Sequence, residues 1–141
     1  MKLTRNFYLD EFVPKLIWGK FGDHSLWFLD PRLPALCQAI RDHFGEAITI
    51  NDWSNGGKLE QCGFRPPETT TGAALSQHRF GRASDLHFAT KTPEEVRTEL
   101  RKNFSKFHAL GLTTIEKDTP TWVHIDMRWT QSIILLEVPY Q

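Results

Sequence analysis

Two polar strings interrupt stretches of this chain where apolar residues would be expected. They are Ser76-Gln77-His78-Arg79-Phe80-Gly81-Arg82-Ala83-Ser84-Asp85 and Trp122-Val123-His124-Ile125-Asp126-Met127-Arg128. Together they hold the donor types of a catalytic zinc site, which takes three protein ligands from imidazole nitrogen and carboxylate oxygen at about 2.0–2.2 Å and leaves a fourth position for water. His78, Asp85 and His124 would supply that set. Gly81 would let the chain turn tightly after His78, and the small Ala83 would let a strand pass close to its neighbour while Asp85 points back at the metal. By residue type and spacing alone, the same three could equally be hydrogen-bonded polar groups at strand ends. His87 shares a face with Asp85 and is expected to be a sheet histidine rather than a fourth ligand. His24, His43 and His108 are given no role.

The elements that must position these residues are readable from periodicity and punctuation. Asp30-Pro31 followed by Leu33, Leu36, Cys37, Ile40 and Phe44 predicts a helix with an Asp N-cap and Pro at its first position, ended by Gly45. Ala47 to Trp53 is rich in β-branched residues and predicts a strand with Ile48 and Ile50 on one face. Residues 54–72, with Asn55-Gly56-Gly57, Gly63 and Pro66-Pro67, have neither periodicity and predict a long loop, a form that in a small domain is mobile or functional. Arg82 to Phe88 predicts a strand with Ala83, Asp85 and His87 on one side. Thr92-Pro93-Glu94-Glu95 is a capping box that starts a helix carrying Val96, Leu100, Phe104 and Phe107. Leu112–Glu116 and Thr121–Trp129 predict a β-hairpin around Lys117-Asp118-Thr119-Pro120, and Ile133–Val138 a last strand. Residues before Gly22 predict a short helix or an irregular wrap around the core. The whole is one small α+β domain over residues 1–141, a mostly antiparallel sheet backed by helices.

Composition bounds the possible functions. The 141 residues carry 17 Lys and Arg against 17 Asp and Glu, with 40% hydrophobic and 24% charged residues, which supports one folded domain with a real core. A net charge of zero lacks the basic excess of a nucleic-acid binder, so no nucleic-acid partner is expected. No run of about 18 apolar residues provides a membrane span, and the first residues lack the apolar core of a secretory signal. Two cysteines, Cys37 and Cys62, match neither a disulfide scaffold nor a metal or redox spacing, so a metal site must use the six histidines and the carboxylates.

The first string resembles the S-x-H-x-x-G-x-A-x-D signature of the zinc D-alanyl-D-alanine carboxypeptidases and L-alanyl-D-glutamate endopeptidases, which share their fold with the hedgehog signalling domain. Every fixed position is met, by Ser76, His78, Gly81, Ala83 and Asp85. The second resembles the V-H-x-D strand of one branch of that family, met by Val123, His124 and Asp126, and the likeness spans roughly residues 30 to 130. The resemblance implies a hedgehog/DD-peptidase-like fold, Zn2+ held by His78, Asp85 and His124, and peptidoglycan stem peptides or cross-links as substrates. Arg65, in Gly63-Phe64-Arg65-Pro66, resembles the family's loop arginine that contacts the substrate. A guanidinium there could bind a stem-peptide carboxylate bidentately. Ser76 and Gln77 could line the same cleft, with Arg82 and Arg128 as secondary cations.

The chain departs from the pattern at one position. Several of these peptidases place an acidic general base three residues before the last zinc histidine, where this chain has Thr121. If the hairpin turns about Pro120, residues whose numbers sum to about 240 face each other, which sets Glu116 opposite His124 at a Cβ separation of about 4.5–5.5 Å. Glu116 is therefore the first candidate base. Asp126, on the same face as His124, competes either as base or as the partner that orients an imidazole.

Three other readings of the chain follow from the same residues. A cysteine peptidase would pair Cys62 with a histidine. A non-catalytic zinc-binding recognition or structural module would account for the missing acid at Thr121. The signal-less chain suits a cytoplasmic protein or a phage-borne enzyme released to the wall by another factor. Trp53 or Trp122 beside the site could stack on a sugar or peptide.

Overall fold

Asp30 does not cap the helix that follows it. In the computed structural model, which describes residues 1–140, its carboxylate accepts from the amide of Arg32 at 3.0 Å and its carbonyl from that of Leu33 at 3.0 Å. Asp30-Pro31 thus forms a turn, a competing use of an Asx side chain. Helix α2 begins two residues later than expected, Leu33–Phe44, after the short N-terminal α1, Lys15–Phe21. Gly45 ends α2 in the left-handed conformation as expected, and Leu33, Leu36, Cys37 and Ile40 are buried. The Thr92 capping box forms in full, with Glu95 N–H donating to Thr92 Oγ1 at 3.2 Å and Thr92 N–H to Glu95 Oε2 at 2.7 Å. The expected single helix is divided into α3, Pro93–Lys102, and α4, Phe104–His108. Asn103 breaks it, because its side-chain amide competes for the Glu99 carbonyl at 2.8 Å.

Five strands form one sheet in the order β1-β2-β4-β3-β5: β1 Ile48–Thr49, β2 Ala83–Phe88, β3 Thr114–Glu116, β4 Val123–Asp126 and β5 Leu136–Val138. All pairs are antiparallel except β3 with β5. The sheet is mixed but mostly antiparallel, and the chain is a small α+β domain. β1 is shorter than expected because the backbone leaves the sheet after Thr49: Asn51 N–H bonds Glu11 O at 3.1 Å and Asp52 N–H bonds Leu59 O at 3.0 Å. The expected 133–138 strand is trimmed by a serine turn, in which Ser132 Oγ accepts from Ile134 N–H at 3.2 Å.

The core lies between the sheet and helices α2 to α4, with Leu86, Ile115 and Ile125 packed among Leu36, Leu100 and Phe107. The N-terminal segment supplies both expected forms. It carries α1 and an irregular wrap that buries Phe7, Leu9, Phe12 and Val13 completely. The wrap also holds the long loop, since Phe12 O accepts from Phe64 N–H at 2.7 Å. Burying one such aromatic or aliphatic side chain contributes roughly 1.5–3 kcal/mol, so this segment belongs to the core rather than to its surface.

Candidate metal centre

The β2/β4 register sets Asp85 directly opposite His124, and β3/β4 pairs Thr114 with Asp126 and Ile115 with Ile125. Continuing that register by one residue places Glu116 across from His124. Asp85, His124 and Glu116 therefore form one row across three strands and on one face of the sheet. His78 enters from a short 3₁₀ helix, Gln77–Phe80, closed by Gly81 with φ +67°. A β-carbon at Gly81 would fall 1.7 Å from the Phe28 carbonyl oxygen, so both the backbone conformation and the close approach of the N-terminal segment require glycine.

His78 Nε2, Asp85 Oδ1 and His124 Nδ1 converge. The separations are 3.2 Å between His78 Nε2 and Asp85 Oδ1, 3.2 Å between the two imidazole nitrogens, and 3.0 Å between His124 Nδ1 and Asp85 Oδ1. The edge of a tetrahedron with bonds of 2.0–2.1 Å is about 3.3–3.4 Å, so the triangle is close to the size zinc requires. Outer contacts set the tautomers. His78 Nδ1–H donates to Gly63 O at 2.7 Å, and His124 Nε2–H donates to Asp126 Oδ2 at 2.9 Å. Each ring therefore turns a bare nitrogen towards the triangle. Two nitrogen lone pairs and a carboxylate oxygen meeting at these distances need positive charge between them, from a proton or from a metal ion. All three side chains are buried, and they are the group of described residues with metal-ligand geometry.

The electrostatics follow from that packing. Burial opposes charge on His124, but its bonds to Asp126 and Asp85 outweigh this and raise it to about 9. Burial lowers His78 below the ordinary histidine value against the pull of Asp85. Asp85 is held well below the usual carboxylate range by His78 and His124 despite its burial. Asp126 is lowered to about 2, because its bonds to His124 and Arg128 overcome burial. Glu116 moves the other way. Burial raises it, the charge of His124 opposes, and Asp85 and Asp126 add to the rise.

The remaining sequence-predicted residues are placed as follows. Glu116 Oε1 lies 3.4 Å from His124 Nδ1, and its Oε2 is buried without a partner. Asp126 sits behind His124, away from the triangle, with both carboxylate oxygens engaged by His124 and Arg128. Arg65 Nη2 donates to the outer oxygen of Asp85 at 3.1 Å and Nε donates to Gln61 O at 2.7 Å. Its Nη1 faces Gly72. Ser76, Gln77, Thr121 and Trp122 line the same cleft of about 760 Å³. Gln77 Oε1 is occupied by Arg82 Nε at 2.6 Å. Trp53 is turned away, its indole N–H donating to Val13 O at 2.9 Å. Cys62 borders the cleft, but burial and the charge of Asp85 push its thiol up to about 12, opposite to what a nucleophilic thiolate needs. Cys37 is a core residue whose thiol burial also pushes up to about 12.

Three contributions have no counterpart in the sequence reading. Gly63 supplies the carbonyl that orients His78, and Tyr140 packs edge-on against Trp122 at 5.2 Å on the cleft wall. Arg79 donates to the carbonyls of Ala73 at 3.2 Å, Pro67 at 3.4 Å and Thr69 at 3.0 Å, tying down the long loop beside His78. The contacts of Gly63 and Arg79 run through backbone carbonyls, which leave no side-chain signal in the sequence.

Asp126→Asn should weaken zinc binding about 10–100-fold, the usual cost of losing a carboxylate behind a ligating imidazole. Competition with a fluorescent chelator measures it. An unchanged affinity would mean that Asp126 does not set the orientation of His124. No family model, curated protein or solved structure matches this chain.

Proposed function

We propose that the chain is a zinc-dependent peptidase acting on the stem peptides or cross-links of bacterial peptidoglycan. The observation that carries the reading is the triangle of His78 Nε2, Asp85 Oδ1 and His124 Nδ1, with Glu116 Oε1 3.4 Å from His124 Nδ1 at the wall of an open cleft. The sequence likeness to the zinc wall peptidases supplies the substrate class. A zinc ion held by these three residues would act as a Lewis acid towards a peptide carbonyl and would make its bound water acidic near neutral pH.

The chain's own residues divide the remaining work. Glu116 is the base: its raised affinity for a proton suits it to take one from the attacking water at Oε1, the oxygen nearer the triangle, and return it to the leaving amine. It thereby fills the place that Thr121 leaves without an acid. Asp126 holds His124 in one tautomer and is itself pinned by Arg128, which makes it a positioning residue rather than the base. Arg65 is the cation nearest the triangle. Its guanidinium steadies Asp85 and borders the cleft, which places its positive charge within reach of a substrate carboxylate.

Digestion of purified sacculi by the zinc-loaded protein, with mass measurement of soluble fragments, tests the reading. Peptide-bond cleavage products in stoichiometric excess over protein are expected. Bound zinc with no released fragment would favour a zinc-binding recognition module instead.

A further inference from the structure

Among the described residues, three buried side-chain polar atoms lack a hydrogen-bond partner: Ser84 Oγ, His87 Nδ1 and Glu116 Oε2. Buried polar groups are nearly always paired, so each calls for an explanation. Glu116 belongs to the site already described, its other oxygen lying 3.4 Å from His124 Nδ1, and Ser84 points to the opposite face of β2 from Asp85. His87 is a half-buried member of the cleft lining with no function in the site so far described; its Nδ1 is covered, so a molecule in the cleft would meet the Nε2 edge of the ring.

Its position is well defined. His87 pairs with Thr49 of β1, so its backbone is fixed in the interior of the sheet. It shares a face with Asp85 and lies two residues further along β2, a displacement of about 6.6 Å at the usual strand rise. Extending the Leu86–Val123 pairing by one residue brings Trp122 opposite His87, and Tyr140 packs on Trp122. The row of Asp85 and His124 and the next row of His87 and Trp122 both line the cleft, so it extends along the strands from the triangle to His87. A peptide in extended form lying along that direction, with its scissile carbonyl at the triangle, would bring the residue two positions away over His87.

We propose that His87 is a substrate-binding residue that hydrogen-bonds a main-chain peptide group two residues from the scissile bond, with Trp122 and Tyr140 covering the adjacent side chain. The assignment rests on the peptidase reading. It makes the site one for extended stem peptides rather than dipeptides, because a dipeptide cannot reach from the triangle to His87.

The test compares two synthetic substrates containing the bond cleaved in sacculi: the bare dipeptide, and the same bond extended by two stem-peptide residues on each side. For His87→Ala, the loss of kcat/KM on the long peptide should exceed that on the dipeptide by about tenfold and appear mainly in KM. Calorimetric Kd values on a Glu116→Gln background, where hydrolysis does not interfere, should show the same length dependence. His87→Asn, which keeps a hydrogen-bonding group, should recover part of the loss, and zinc content should equal that of wild type. Equal losses on both lengths, no loss on either, or reduced zinc would overturn the assignment. A wild-type chain that neither binds nor cleaves either peptide would overturn the peptidase reading, and this assignment with it.

Discussion

Zinc-loaded Glu116→Gln protein should cleave wall peptides about 10²–10⁴ times more slowly than wild type, the range expected when one general base is removed. That range corresponds to roughly 2.7–5.4 kcal/mol of lost transition-state stabilisation at about 1.36 kcal/mol per decade. Glutamine keeps the shape of the side chain and one oxygen acceptor but cannot take a proton, so the change isolates proton transfer from packing. Glu116 is half-buried on β3, and its Oε2 has no protein partner whose loss would disturb the fold. Zinc content and thermal midpoint should therefore stay near wild type while kcat falls and KM moves little. The companion variant Asp126→Asn separates the two carboxylates that the sequence left in competition. Its effect should appear in metal affinity first, since Asp126 touches His124 from behind and is fully buried. If Glu116→Gln retains wild-type rates and Asp126→Asn loses them with zinc still bound, the roles assigned to the two are reversed.

How far the site could be read in advance depended on the sequence distance over which each contact acts. Glu116 and His124 face each other across a hairpin whose turn is marked by Asp118 and Pro120. A local feature thus sets a register, and the observed pairs Thr114 with Asp126 and Ile115 with Ile125 agree with it. The opposition of Asp85 to His124 joins strands 39 residues apart. Nothing local specifies it, and it was accessible only through the likeness of two strings to a known signature. Boundaries failed where a polar side chain took a backbone partner from a regular element. Asp30 turned the chain before α2, and Asn103 divided α3 from α4. The carbonyl of Gly63 and the three carbonyls held by Arg79 were invisible for a related reason: an acceptor present on every residue carries no compositional mark.

The long loop shows what such contacts achieve. Beyond a 3₁₀ turn at Trp53–Asn55 it has no regular structure, yet Phe64 is pinned to Phe12, Arg65 to Asp85 and Gln61, and the segment from Pro67 to Ala73 to Arg79. These anchors converge on the residues beside His78 and Asp85. The loop thereby acts as a wall that fixes the outer side of the triangle while the sheet fixes the inner side. The precision that a metal site needs comes from both.

Removal of a triangle residue should have the largest effect on the metal. Wild-type protein should bind one zinc per chain, and Asp85→Ala or His78→Ala should abolish stoichiometric binding under conditions that saturate wild type. Two donors cannot close a site that zinc ordinarily fills with three protein ligands and an exchangeable fourth. The same loss should appear in stability. Zinc at about a thousandfold excess over its dissociation constant stabilises the native state by roughly 4 kcal/mol. For a domain of this size that raises the thermal midpoint by on the order of 10 °C. The shift should vanish in both variants and in wild type treated with a chelator. The two variants should differ in their metal-free behaviour. Asp85 is the anionic partner of Arg65 and His124 as well as a proposed ligand, so Asp85→Ala leaves the part-buried Arg65 without its counter-charge and the buried His124 with Asp126 alone. His78→Ala removes a ring whose other nitrogen bonds only the Gly63 carbonyl. The metal-free midpoint should accordingly fall further for Asp85→Ala than for His78→Ala. A variant of either residue that still binds one zinc with wild-type affinity would place the metal elsewhere on the chain.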